Sequence, residues 1–371
     1  MARIATVYRR DRLEFRPVDM SYIRWLKISE ALARRGHDVD IVTNEPRWEH
    51  DPKPILMGPN LRRVPLARVN WNRYDVVKTL FHRGFETLEE YRGTSHPFII
   101  SKLGSVVGPT DLPGIYFYGP EREQLYATQE RLCRRSHYIT VLSRAAAEYL
   151  DECHGVGDRL LLVPGGVDAR IPEKGPDPYP ADKSVRCLFA GNIYTHDRQR
   201  EANRTLSEKL NAVGGFLAKR GIRLYFLGKG DASLLDPNIV THLGTVSYDE
   251  SWSYMQHAHV GIVVAAGPFM HNNESTKIYH YLRVGLPVVS EAGFPNDYVV
   301  RESRLGFVVP NGDMKNMAGK IEEAAAIDSW DRKSAAEYVV REHSWDRRVQ
   351  TYEDLIQSVN FRYSARNGTH A

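Results

Sequence analysis

The sequence predicts an α/β protein made of two halves, each a parallel sheet with helices on both faces. Length is the first ground: 371 residues exceed one ordinary hydrophobic core at roughly 100–200 residues per domain. The second is an alternation of short apolar strands with helical stretches. The third is one interruption of that alternation, between Leu162 and Arg186, after which it restarts.

In chain order, Ile4–Tyr8 is the first strand. Tyr22–Arg35 has helical spacing, with Ile23, Leu26, Ile28, Leu32 and Ala33 as its buried stripe. Gly36 stops that helix, and Val39–Thr43 is the next strand. Further strands are predicted at Asp75–Leu80, Pro97–Ser101 and Tyr138–Leu142. The interruption holds Pro164-Gly165-Gly166-Val167-Asp168, then Pro172, Pro178 and Pro180, and is expected to be an extended linker. Beyond it, strands are predicted at Cys187–Gly191, Leu224–Gly228, Val240–Leu243, Val260–Ala265, Pro287–Ser290 and Gly306–Val309. Helices are expected at Leu206–Arg220 and Trp345–Val359. The tail from Arg362 is expected to fray.

Composition narrows the class. Hydrophobic residues make up 42% and charged residues 26%, which excludes wholesale disorder and a fibrous repeat. The apolar run Val260–Gly267 falls far short of the roughly 18–20 residues that span a bilayer. Met1–Tyr8 reads as a buried strand rather than a secretory signal. Cys133, Cys153 and Cys187 form no CxxC pair, so a disulfide framework or structural zinc is not expected, and a reducing cytosol is. Net charge is +4, and residues 1–170 hold the excess, 26 Lys/Arg against 22 Asp/Glu. Clusters at Arg9, Arg10, Arg12, Arg16 and at Arg62, Arg63, Arg68 read as solvated surface or as contacts to phosphates of an anionic membrane or acceptor. Nucleic acid is not expected.

Chemistry concentrates in the second half. Asn272-Asn273-Glu274-Ser275-Thr276 begins a helix that runs through Lys277 to Arg283 before Gly285. A helix start at the ligand edge of a sheet presents free N–H groups and a positive dipole end, an anion site to which Lys277 adds a formal charge. His280 lies one turn on. The plainer reading is a capped helix with a solvated lysine. Gly191-Asn192 opens a strand-end loop that continues to Arg198 and Arg200, where glycine admits close backbone approach and arginine grips phosphate. Gly228-Lys229-Gly230 resembles a phosphate loop without Walker or GxGxxG spacing. No HExxH, EF-hand or GxSxG is present, and Asp38-Val39-Asp40 falls in a predicted strand. No metal site is expected.

In their order these segments resemble the GT-B glycosyltransferases, especially the family-4-like group of bacterial sugar transferases. The matching stretches are Leu188–Asn192, Leu224–Gly230, Val240–Glu250, Ala258–Val264 and Lys277–Val289. In the first half they are Ala31–Val39, Ser136–Ser143 and Val163–Asp168. The resemblance covers roughly residues 2–355. It implies two Rossmann-like domains whose parallel sheets face a central cleft. Residues 1–170 would bind acceptor, with a C-terminal helix of about 345–371 packing back on them, and 171–344 would bind donor. Many relatives carry two glutamates eight positions apart before the Gly-x-Pro-Val turn. Asn272 and His280 stand there instead, and Lys277-x-x-His280 resembles the Lys-x-x-Gln of the xanthan-type glucuronosyltransferase branch.

The resemblance implies a metal-independent sugar transfer from a nucleoside diphosphate (UDP or GDP) to a glycan, lipid-linked or small-molecule acceptor. It needs no further cofactor. Gly191, Asn192, Arg198, Ser275, Thr276 and Lys277 would hold the diphosphate, backbone near Val246 the nucleotide, and His280 the ribose. Asp111 is the candidate base, with His96 and His82 as alternatives and Lys102 near where many relatives place a histidine. The chain is expected in the cytoplasm, with peripheral membrane contact through the basic first half. A nicotinamide dehydrogenase lacks its glycine fingerprint here. A sugar-nucleotide epimerase and a non-catalytic nucleotide-sugar binder stay open.

Overall fold

The computed structural model describes residues 1–16, 20–107, 119–181, 184–193, 200–267, 270 and 273–367. They form two compact units. Gly166–Ser344 makes one, and the residues before it make the other together with those from Trp345 onward.

The first unit holds an eight-stranded sheet: β1 (Arg3–Val7), β2 (Asp38–Thr43), β3 (Ile55–Gly58), β4 (Leu61–Pro65), β5 (Val76–Leu80), β6 (Ile99–Lys102), β7 (Tyr138–Val141) and β8 (Leu160–Leu162). Their order is β3-β4-β2-β1-β5-β6-β7-β8. Every pair is parallel except β3 and β4. That hairpin was not predicted, because Leu61-Arg62-Arg63-Val64 reads as a charged surface run. Here the charge is internal. Arg62 donates to Asp40 at 2.8 Å and Asp38 at 3.2 Å, and Arg63 to Glu45 at 2.9 Å. Arg9, Arg10, Arg12 and Arg16 pair with Asp11, Glu90, Glu49 and Glu14. Six arginines of the clusters read as solvated surface or as phosphate contacts are thus ion-paired within the unit.

The second unit has a wholly parallel sheet: β9 (Val185–Ala190), β10 (Ile222–Leu227), β11 (Val240–His242), β12 (Val260–Val263), β13 (Val288–Glu291) and β14 (Gly306–Val309). Its order is β11-β10-β9-β12-β13-β14. Side chains alternate between two cores: Cys187 and Phe189 point into one, Leu188 into the other. A strand covered on both faces must be apolar at consecutive positions, which explains the unbroken Cys187-Leu188-Phe189 run. The proline-rich stretch is strapped to this unit. Val167 bridges to Ser344, Tyr179 donates to the Tyr254 carbonyl at 3.0 Å, and Arg186 pairs with Asp177 at 2.7 Å.

One side chain of the first unit defies its surroundings. Lys78 lies mid-strand in β5, opposite Thr6 and Ile100. It is 1% exposed. Its Nζ makes no hydrogen bond among the described residues and sits 4.7 Å from the Tyr352 ring centroid. Burial, reinforced by nearby Arg24, lowers its pKa from 10.5 to about 7. Between those values the unfolded chain holds a proton that the folded chain does not. Stability therefore falls as pH drops from about 10.5 towards about 7, and the loss is complete below that. Lys78→Met is expected to raise the melting temperature at pH 6–7, with the gain shrinking towards pH 10.5. A variant melting below the parent at pH 7 would contradict this account.

Candidate functional site

In a doubly wound parallel sheet, ligands bind outside the carboxyl ends of the strands where the order reverses. In the second unit that point lies between β9 and β12. β10 and β11 extend one way from β9, and β12, β13 and β14 the other. Pairing between β9 and β12 covers only Cys187 with Val260 and Leu188 with Gly261. Beyond it the strands part, leaving buried backbone groups that need partners. The Tyr281 hydroxyl supplies them, accepting from the Ala190 amide at 2.7 Å and donating to the Leu188 carbonyl at 3.3 Å. Gly261 makes this possible, since a Cβ there would run into the Tyr281 ring.

Past Tyr281 the loops after β9 and β10 lie backbone against backbone. Gly191 N–H donates to Leu227 at 2.8 Å, and Ile193 N–H to Lys229 at 2.9 Å. Gly228 and Gly230 adopt φ of +152° and +127°, and a Cβ on either would collide with the carbonyls of Gly191 and Ile193. Glycine is required at both on two counts. Gly191 also faces Lys277, whose side chain occupies the space a Cβ would take. The Lys277 Nζ lies 4.9 Å from the Phe189 ring centroid. No carboxylate pairs with it among the described residues, and burial lowers its pKa to about 8.

Lys277 belongs to the helix Thr276–Arg283. Ser275 is the N-cap, yet its side chain makes no capping bond. Its Oγ is buried without a partner among the described residues. Asn296, in the loop after β13, pairs with Ser275 twice: the Ser275 N–H donates to Oδ1 and Nδ2 donates to the Ser275 carbonyl, both at 2.9 Å. The N–H groups of Thr276 and Lys277 belong to the first turn, where the helix cannot satisfy them from within. Nearby, Glu291 closes β13. Its buried carboxylate accepts from Lys209 at 2.8 Å, the Ala265 amide at 2.6 Å and the Gly312 amide at 2.8 Å. That charge is spent on tying three strand ends together, whereas Lys277 has no carboxylate partner among the described residues.

Gly191, Ser275, Thr276 and Lys277 thus come together. Asn192 is exposed beside Gly191. Val246 sits after β11, packed partly against the second core, while Ser247 caps the next helix in a box with Glu250. His280 is 7% exposed, with its ring edge-on to Trp252 at 5.2 Å and Tyr248 at 5.8 Å. Asp111, Arg198 and Asn272 lie outside the described residues. In the first unit, burial of His82 lowers its pKa to about 4. His96 is exposed before the start of β6, away from the carboxyl ends of the strands. Lys102 ends β6, fully buried. Tyr281, Asn296 and Glu291 were not singled out in the sequence. Gly261, a glycine inside a strand, was the one local signal of a close approach.

Glycine backbone, a helix start and one desolvated lysine, brought together, suit a polyanion such as a diphosphate. No group of three His, Cys, Asp or Glu side chains is placed to hold a metal ion among the described residues. Gly261→Ala is expected to cost about 1–3 kcal/mol through overpacking against Tyr281, measurable by denaturant unfolding. An unchanged midpoint would show that Tyr281 does not need that space.

Residues 184–326 match the family model described as Glycosyl transferases group 1. No curated protein matches the chain. Among solved structures, the sucrose-phosphate synthase of Thermosynechococcus elongatus is similar at 16% identity, covering 98% of this chain and 100% of that one, with a TM-score of 0.72. An E. coli trehalose-6-phosphate structure bound with UDP-2-fluoro glucose is similar at 11% identity over 95% of this chain and 98% of that one, TM-score 0.66. WaaG, a glycosyltransferase involved in lipopolysaccharide biosynthesis, is similar at 14% identity over 95% and 99%, TM-score 0.60. Such identities carry the fold alone. The chain therefore has the two-unit GT-B fold, and residues 184–326, within its second unit, match the glycosyltransferase group 1 family model.

Proposed function

We propose that the chain transfers a sugar from a nucleoside diphosphate to a glycan, lipid-linked or small-molecule acceptor, without a metal. The observation that carries this is Lys277, without a carboxylate partner among the described residues, beside Gly191 at the start of a helix and at the switch point of the sheet. A diphosphate leaving group gathers negative charge as the sugar bond breaks, and preorganised cations and amides there lower the barrier. The group 1 match over the same unit supports the reading, as does the UDP sugar in one similar structure.

In this proposal Lys277 and Arg198 neutralise the diphosphate, and the Ser275–Thr276 turn and Gly191-Asn192 approach it with backbone. The segment around Val246 holds the nucleotide, UDP or GDP. His280 serves the ribose once its ring turns out from between Trp252 and Tyr248, completing a Lys-x-x-His version of the xanthan-type arrangement. Asp111 positions and deprotonates the acceptor hydroxyl. The enzyme works in the cytoplasm, and any membrane contact is peripheral. Among the described residues no helix is long and apolar enough to cross a membrane.

Lys277→Ala and Arg198→Ala are each expected to cost about 2–4 kcal/mol of transition-state stabilisation, read as kcat/KM with a nucleotide sugar. Near-parental turnover by both would remove the phosphate site. Nucleotide should also raise the Lys277 pKa from about 8. Binding should then take up a proton above that pH and weaken as pH rises further, which calorimetry in buffers of different ionisation enthalpy measures. Product analysis separates the classes: a glycoside for a transferase, an isomer alone for an epimerase, no turnover for a binder.

A further inference from the structure

We infer that Asn296 is a positioning residue for the nucleotide site, setting the helix start through Ser275; this rests on the phosphate role of Lys277 proposed above. Asn296 is fully buried. It spends its carboxamide on one residue, accepting from the Ser275 N–H and donating to the Ser275 carbonyl, each at 2.9 Å. This two-way pairing, made by a side chain instead of a neighbouring strand, fixes the Ser275 peptide groups on both sides of Cα.

The consequence falls on the ligand side. An N-cap serine ordinarily turns its hydroxyl back onto the amide of N2 or N3. Ser275 does not, and its Oγ stays buried without a partner among the described residues. Asn296 takes over the task of fixing the cap. The Ser275 hydroxyl and the Thr276 and Lys277 amides are thereby left for an anion. The support comes from the loop after β13, where Asn296 is followed by a turn in which Val299 N–H donates to the Asn296 carbonyl at 3.2 Å. Asn296 therefore touches no reacting atom and acts through Ser275. Aspartate is the informative replacement. It keeps an acceptor for the Ser275 N–H, loses the donor to the carbonyl, and sets a carboxylate against that carbonyl oxygen.

The test titrates UDP and GDP into the full-length parent, Asn296→Asp, Asn296→Ala and Lys277→Ala, with melting curves and hydrogen exchange of the peptide containing Ser275–Ile278. Lys277→Ala should lose nucleotide binding. Both Asn296 variants should weaken it at least ten-fold while still melting cooperatively, with faster exchange over Ser275–Ile278. If Lys277→Ala fails to bind but the Asn296 variants bind like the parent, the positioning role is overturned and the phosphate site stands. If Lys277→Ala binds like the parent, the phosphate site fails and the inference falls with it. Should the Asn296 variants not fold, exchange in the parent decides: saturating UDP or GDP must protect Ser275–Ile278, and no protection overturns the inference.

Discussion

The second unit depends on how a parallel sheet parts at its switch point without stranding buried backbone. Strands β9 and β12 share only two paired positions. Further on, an unmet amide and carbonyl would each cost the full desolvation of a polar group. The Tyr281 hydroxyl, donor and acceptor at once, meets both. The gap between the strands is bridged by a side chain of the same helix whose start is proposed above to meet a phosphate. Opening the sheet and placing that helix are one structural event.

Charge is handled in two opposite ways within a short distance along the fold. Glu291 is wholly buried and fully satisfied by an ammonium and two amides, and it joins the ends of β12 and β13 to the turn after β14. Lys277 is desolvated and left without a carboxylate among the described residues. A buried ion with every bond made is structural. A partly exposed, desolvated ammonium without a counter-ion has the most to gain from an incoming anion. Lys78 in the first unit, by contrast, is fully buried, under the Tyr352 ring inside a sheet core, where its cost falls on folding.

Arginines are a poor guide by comparison. Arg62 and Arg63 stand on a strand facing Asp40, Asp38 and Glu45, partners that lie 18 to 24 residues earlier in the chain. A basic cluster in sequence says how much positive charge is present. Which of it remains available is decided by the carboxylates that the sheet brings alongside.

The α/β class, most strand positions and the glycines of the strand-end loops were legible in the sequence, because buried parallel strands must be apolar throughout and close backbone approach admits only glycine. Lys277 and the Ser275–Thr276 helix start were legible for the same local reason, a short polar run before a helical one. The β3–β4 hairpin, the aromatic enclosure of His280 and the roles of Tyr281, Glu291 and Asn296 were not. Each of these is defined by a partner distant in the chain: Asn296 meets Ser275 21 residues away, and Tyr281 meets Leu188 93 residues away. Local spacing can nominate a residue that approaches a ligand; only the packed sheet decides which side chains hold it there.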